Sequence, residues 1–190
     1  YVNEGTEGAY GGYYTQDDIR EIVKYAQERY ITIIPEIEMP AHSEEVLTAY
    51  PELSCTHEPY KQADFCIGNE KTYEFLENVL SEVIELFPSE YIHIGGDEAP
   101  KARWVKCTAC HEKKDELNLR NFQELQGWFM NEVSAYLKTK GKTAVCWNDA
   151  LKGDNIDSTN TVIAFWYEKN NKSVEWANAG NKLIVECNFP

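Results

Sequence analysis

Asp97 and Glu98 stand side by side at the end of the run His93-Ile94-Gly95-Gly96-Asp97-Glu98. Two glycines ahead of them let the backbone turn sharply where an apolar strand ends. Neighbouring carboxylates resist joint ionisation, so one of the two can keep its proton near neutral pH. A carboxyl that still holds its proton is what a general acid needs. Alone, such a pair more often caps the next segment or pairs with cations, here Lys101 and Arg103. A second segment shifts that balance. Pro35-Glu36-Ile37-Glu38-Met39-Pro40-Ala41-His42-Ser43 puts a carboxylate, Glu38, and an imidazole, His42, after the preceding apolar run and facing the same place. By itself His42 would read as a helix-start residue bonded to backbone.

The elements that must position these groups follow from periodicity and caps. Residues 1–14 are rich in Gly and Tyr and read as a loop. Thr15 and Asp18 form a capping box opening a helix with Ile19, Ile22, Val23 and Ala26 on one face. Ile31–Ile37 is an apolar, β-branched run that reads as a strand. Ser43 caps a short helix to about Tyr50, and residues 51–68 read as a long polar loop. Asn69 caps a helix striped by Leu76, Val79, Leu80, Val83, Ile84 and Phe87, which Pro88 stops. Tyr91–Ile94 is the strand before the acid pair. Residues 99–118 read as irregular, and a helix runs from about Asn121 to Lys140, ended by Gly141. Strands follow at Thr143–Trp147, Val162–Trp166 and Leu183–Cys187, with a short helix near Ser173–Ala179.

Apolar strands alternating with helices predict a parallel sheet covered by helices. Polar and aromatic residues gather just after the strands: Glu38, His42, Asp97, Glu98, Trp147 and Trp166. In a (β/α)8 TIM barrel that is the active face. A barrel needs about 250 residues, so residues 1–190 are expected to be the central part of a single catalytic barrel domain, lacking the first and last strands. The link from Trp147 to Val162 is too short for a regular helix, so one unit is degenerate. A doubly wound sheet is the alternative, but no Gly-rich phosphate loop accompanies it.

Net charge is −14, with the acidic residues spread along the chain. Nucleic acid and anionic membranes both need a basic footprint, so neither is an expected partner; a neutral substrate fits this balance better. No run approaches the roughly 18 apolar residues needed to cross a bilayer. The chain begins with Tyr1 and has no basic-then-apolar leader, so any targeting peptide is expected to have been removed or to lie outside these residues. Six cysteines are present. Cys107 and Cys110 make a lone CxxC followed by His111; zinc would need a second pair, and none stands at ribbon spacing. Haem attachment fits the CxxCH pattern but no haem context surrounds it. A disulfide or two free thiols is the plainer expectation there. Cys55 and Cys66 bracket the polar loop and could bridge in an oxidising compartment, while Cys146 and Cys187 lie in strand runs as buried thiols.

The Pro35–His42 and His93–Glu98 segments, in this order and at this separation, resemble the family 20 glycoside hydrolases, the β-N-acetylhexosaminidases. Gly11-Gly12-Tyr13-Tyr14-Thr15 is similar to the family's lead-in, and Trp147 and Trp166 close strands as the family's tryptophans do. The resemblance implies substrate-assisted, retaining hydrolysis through an oxazolinium intermediate. It makes Glu98 the acid/base, Asp97 the holder of the acetamido N–H, His42 a sugar contact or a support behind one, Trp147 and Trp166 the walls around the acetamido methyl, and His93 structural. It calls for no cofactor and no metal. The implied partner is an N-acetylhexosamine-containing glycan, and the implied compartment is secreted or periplasmic. Oligomeric state and the choice between GlcNAc and GalNAc stay open. Glu38 stands where the family has Asp and Ala41 where it has Gly; Cys146, Asn148 and Asp149 also depart from its pattern. The family's early-strand Arg and late-strand Tyr, Trp and acidic residue are not in these residues, so in isolation they are expected to be poorly active. Two other readings stand beside this one: a metal-dependent barrel hydrolase using Glu36, Glu38, His42, His93 and Asp97, and a non-catalytic sugar-binding module.

Overall fold

Thr15 accepts a hydrogen bond from the Asp18 N–H and Asp18 accepts one from the Thr15 N–H, and this reciprocal cap opens α1 (Gln16–Gln27). The structure, a computed structural model, describes residues 12–167 and 169–185. After α1 come β1 (Glu36–Met39), α2 (Glu44–Ala49), α3 (Glu70–Leu86), β2 (Tyr91–Gly95), α4 (Thr108–Glu116) and α5 (Phe122–Thr139). Then follow β3 (Thr143–Trp147), β4 (Thr161–Phe165), α6 (Lys172–Asn178) and β5 (Leu183–Val185).

The five strands form one parallel sheet in chain order, β1-β2-β3-β4-β5. A doubly wound sheet reverses its strand order at a switch point; this sheet has no such reversal among the described strands. It is consistent with a length of α/β barrel wall. Side chains alternate between its faces. Met39, Ile92, Ile94, Ala144, Cys146 and Ile163 join one large core with the α3 and α5 stripes, including Leu76, Leu80, Leu125, Phe129 and Leu137. On the opposite face Val145, Val162 and Ala164 form a smaller cluster with Tyr91 and Trp147. Asn69 caps α3 through the Lys71 N–H, and Asn121 caps α5 through Gln123 and Glu124, so the sheet-covering helices start where their sequences say.

Three expectations need correcting. The first strand is Glu36–Met39, not Ile31–Ile37. Pro35 has no N–H to give to a ladder, so it joins only through its carbonyl, which accepts the His93 N–H at 2.9 Å, and Ile31 and Ile34 before it are left exposed. Residues 99–118 are not irregular throughout: they hold a 3-10 turn, Trp104–Lys106, and α4. That helix carries no apolar stripe, so periodicity could not reveal it; it is anchored through the fully buried Cys110. Ser43 does stand at the N-cap of α2, but its hydroxyl bonds back to the Ala41 and Glu38 carbonyls and caps nothing. The link after Trp147 is a 3-10 segment, Asn148–Gly153, as its shortness implies. Residues 1–11 of the opening loop and Cys187 lie outside the described residues. No described helix is long and apolar enough to cross a membrane.

Candidate active site

The chain leaves β2 through two left-handed glycines, Gly95 (φ +67°) and Gly96 (φ +102°). A Cβ on Gly95 would sit 2.1 Å from Glu38 Oε2, so this position needs glycine for space as well as for conformation. The Gly96 carbonyl accepts a 2.6 Å bond from Gln126 Nε2 on α5, which pins the turn to the helix behind it. Asp97 and Glu98 then emerge. Glu98 also has a positive φ, +46°, and its N–H donates to Asp149 Oδ2 at 3.3 Å. From the end of β1, His42 reaches across: its Nε2 is 3.2 Å from Asp97 Oδ2 and 3.4 Å from Glu98 Oε2. The Asp97 side chain is 15% exposed and that of Glu98 57%. One acid is thus withdrawn among protein groups and the other is presented to solvent.

Behind Asp97 lies a second acid pair on the inner face of β1. The Trp147 indole N–H donates to Glu36 Oε1 at 2.9 Å and points to Glu38 Oε1 at 3.4 Å. Its ring lies 4.6 Å, centroid to centroid, from that of His93. Burial pushes the Glu38 carboxyl up to about 9, helped by its bond with Glu36 and by the neighbouring Asp97 charge. Burial works to raise Glu36 as well, but the bond from Glu38, with His93 and Trp147, outweighs it and Glu36 is lowered. The proton therefore sits on Glu38. Burial also lowers His93 below its ordinary value, and its Nδ1 accepts the Gly95 N–H at 3.1 Å. His93 is thus occupied in shaping the glycine turn.

The two tryptophans have different neighbours. Trp147 faces the Glu36–Glu38–His93 group. Trp166, just past β4, lines a cavity of about 340 Å³ together with Glu98, Asn148, Asp149 and Tyr167. Two residues there carry roles that the sequence did not announce. Asn148 accepts the Trp166 N–H at 3.0 Å and donates to the Tyr167 carbonyl at 2.9 Å, tying β3 to the chain after β4. Asp149 holds the Glu98 backbone and pairs with Lys152. The signals for them were their place just after β3 and their departure from the family's strand-end pattern. The five residues of the metal-hydrolase reading fall into two groups: Glu36, Glu38 and His93 in one, His42 and Asp97 with Glu98 in the other. Glu36 and Glu38 already receive the Trp147 N–H, so the five do not converge on one ion.

Fold and acid pair together define a protein of the α/β class with paired carboxyls gathered at its strand ends. Residues 2–188 match the model of glycosyl hydrolase family 20, catalytic domain, and the chain belongs to that family. It is 40% identical over 170 residues to a beta-hexosaminidase of Porphyromonas gingivalis, covering 85% of this chain and 22% of that protein. A solved beta-N-acetylhexosaminidase of Bacteroides fragilis is 40% identical with a TM-score of 0.83, over 93% of this chain and 36% of that one. An exo beta-N-acetylglucosaminidase of Vibrio harveyi, solved with N-acetylglucosamine, is 33% identical with a TM-score of 0.81, over 93% of this chain and 29% of that one. The chain thus spans well under half the length of these relatives.

Proposed function

We propose that the protein is a retaining β-N-acetylhexosaminidase that releases terminal N-acetylhexosamine from glycans with the help of the substrate's own acetamido group. The observation that carries this reading is His42 Nε2 standing within 3.2 and 3.4 Å of both acids at the mouth of the sheet. In the proposed reaction the acetamido oxygen attacks the anomeric carbon as Glu98 gives its proton to the departing glycosidic oxygen. The oxazolinium that forms keeps the leaving face open, and Glu98 then takes a proton from the water that reopens it, with net retention. Asp97 accepts the acetamido N–H, orients the nucleophile and offsets the positive charge that develops on ring closure. Its partial burial supports that work, since a carboxylate acts more strongly where water is excluded. Trp166 and Trp147 offer apolar surface for the acetamido methyl, and His42 steadies both acids.

The barrel proposed here is wider than five strands, with residues 1–190 as its central part. The family's remaining sugar contacts are then supplied by strands outside them, and residues 1–190 alone are poorly active. Support comes from the chain-order parallel sheet, from the expected eight strands of a closed barrel and from the share of each relative that the chain covers.

Comparing an aryl N-acetylglucosaminide with its N-deacetylated counterpart on the natural-length protein tests the proposal. The acetylated sugar is expected to be cleaved and the deacetylated one to be inert, because it lacks the nucleophile. Comparable turnover of both would overturn substrate assistance.

A further inference from the structure

Cys55 and Cys66 come from the loop between α2 and α3, and Cys107 and Cys110 from the start of α4. The fold brings all four sulfurs within 4.8 Å of one another. Cys55 Sγ is 3.7 Å from Cys110 Sγ, and Cys66 Sγ is 3.8 Å from Cys107 Sγ and 3.7 Å from Cys110 Sγ. A disulfide would hold two sulfurs about 2.05 Å apart, and all four side chains are thiols. The bridges considered for Cys55–Cys66 and Cys107–Cys110 are therefore not formed. A zinc ion bonded to four sulfurs at about 2.3 Å requires sulfur–sulfur edges of about 3.8 Å in a tetrahedron. Three of the six sulfur–sulfur spacings, 3.7, 3.8 and 3.7 Å, match those edges, and the other three lie within 4.8 Å.

We propose that Cys55, Cys66, Cys107 and Cys110 hold a structural zinc ion. The second ligand pair that spacing along the chain failed to show is supplied in space, by two cysteines far upstream of the CxxC. Each ligand is held in place by bonds that do not involve sulfur pairing. The Cys55 N–H donates to Gln62 Oε1 at 3.0 Å, and the Cys66 carbonyl accepts the Thr72 hydroxyl at 2.9 Å. Trp104, fully buried, donates its indole N–H to the Phe65 carbonyl at 2.8 Å and so locks the two cysteine-bearing segments together. Cys107 stands at the N-cap position of α4 and Cys110 lies in its first turn, where the helix's free N–H groups favour thiolates. The Gly68 N–H adds a bond to Cys110 Sγ. A Cβ on Gly68 would lie 2.2 Å from the Ala109 carbonyl carbon, so only glycine lets the loop backbone press this closely on the CxxC turn.

Four soft thiolates select zinc over hard cations such as magnesium or calcium. With four protein ligands no position is left for water, which makes the site structural. Its place suggests what it supports. The loop carrying Cys66 is bonded to the His42 segment through Phe65 N–H to the Pro40 carbonyl at 2.8 Å and Ser43 N–H to the Ala63 carbonyl at 3.0 Å. Cys107 lies on the segment that leaves Asp97 and Glu98. One ion would clip together the two loops that carry the catalytic candidates.

The test is elemental analysis of the natural-length protein purified without chelator, together with cobalt exchange. About one zinc per chain is expected, falling to near zero in a Cys66→Ser, Cys110→Ser double variant. Cobalt replacement of the unaltered protein should give intense thiolate-to-cobalt absorption and the visible bands of a tetrahedral ion. That second readout does not depend on the variant folding. Native protein with four titratable thiols, no bound metal and no cobalt spectrum would overturn the site. So would two disulfides found by non-reducing mass mapping, and a protein carrying iron in the zinc's place would overturn the choice of ion.

Discussion

Glu38 and Asp97 meet carboxyl to carboxyl: Glu38 Oε2 and Asp97 Oδ1 are both buried, nothing else among the described residues hydrogen-bonds to either atom, and the two side chains bond to each other. Two ionised carboxylates could not hold that position. A proton on Glu38 turns the repulsion into a donated bond.

That proton gives a pH dependence of known sign. Burial first, then Glu36 and Asp97, pushes the folded Glu38 up to about 9 from an ordinary 4.5. An acid raised by folding binds its proton more tightly in the native state. Its contribution to stability is complete below the ordinary value and is lost as pH rises through the folded one. Thermal melting of the natural-length protein should therefore move to lower temperature between about pH 5 and 9. Glu38→Gln, which keeps a donor toward Asp97, should flatten that slope. An unchanged slope in the variant would place the proton elsewhere.

Glu98 and Asp97 should respond differently to amide substitution. Glu98→Gln removes the transferable proton while keeping shape, so kcat on aryl N-acetylglucosaminides should fall by about 10²- to 10⁴-fold with binding retained. A leaving group that needs no protonation should recover part of the loss. Asp97→Asn leaves Glu98 in place; if Asp97 holds the acetamido group as proposed, good leaving groups should not rescue it. A sugar-binding module would show neither loss, and equal rescue of both variants would undo the division of roles.

The parts of this arrangement that lie along one stretch of chain were legible. His93–Glu98 shows its strand, its glycine turn and its acid pair within six letters, and the stripes and caps of α3 and α5 locate the covering helices. What was hidden lies between stretches. Nothing in the letters says that Trp147 turns toward Glu36 while Trp166 turns toward Glu98, because both simply end strands. α4 has no apolar stripe, so its register is set by Cys110 and by neighbours far away in sequence. Cys55 and Cys66 face Cys107 and Cys110 only after the loop folds back, and a ten-residue gap gave no zinc-ribbon spacing to notice. Pro35 shortens β1 because it offers the ladder only a carbonyl, and the apolar run ahead of it does not pair.

Asn148 offers a check on how Trp166 is placed. Its amide bridges the Trp166 N–H and the Tyr167 carbonyl, and both bonds lie at the cavity shared with Glu98. Asn148→Ala should cost about 1–3 kcal/mol of stability through the polar groups left without partners. If Trp166 shapes the sugar pocket, KM should rise more than kcat falls. A variant with lowered melting temperature but unaltered KM would confine Asn148 to a structural part.

Gly95 is where conformation and chemistry meet. It lies in the left-handed region at φ +67°, and a methyl group there would stand 2.1 Å from Glu38 Oε2 and 3.0 Å from the Met39 N. Gly95→Ala therefore faces two penalties. The backbone cost is about 1–2 kcal/mol, and the clash drives Glu38 away from Asp97 or pushes the turn outward. Either movement shifts the Asp97–Glu98 pair, whose direction depends on this turn. Activity should then fall further than the stability loss explains, because at temperatures where the variant is still folded the acids no longer meet His42. Combining Gly95→Ala with Glu38→Ala separates the two penalties: removing the obstructing carboxyl should return the part due to the clash and leave the part due to φ. If the double variant recovers nothing, crowding by Glu38 is not what requires glycine here, and the carboxyl does not press on the turn that aims the acid pair.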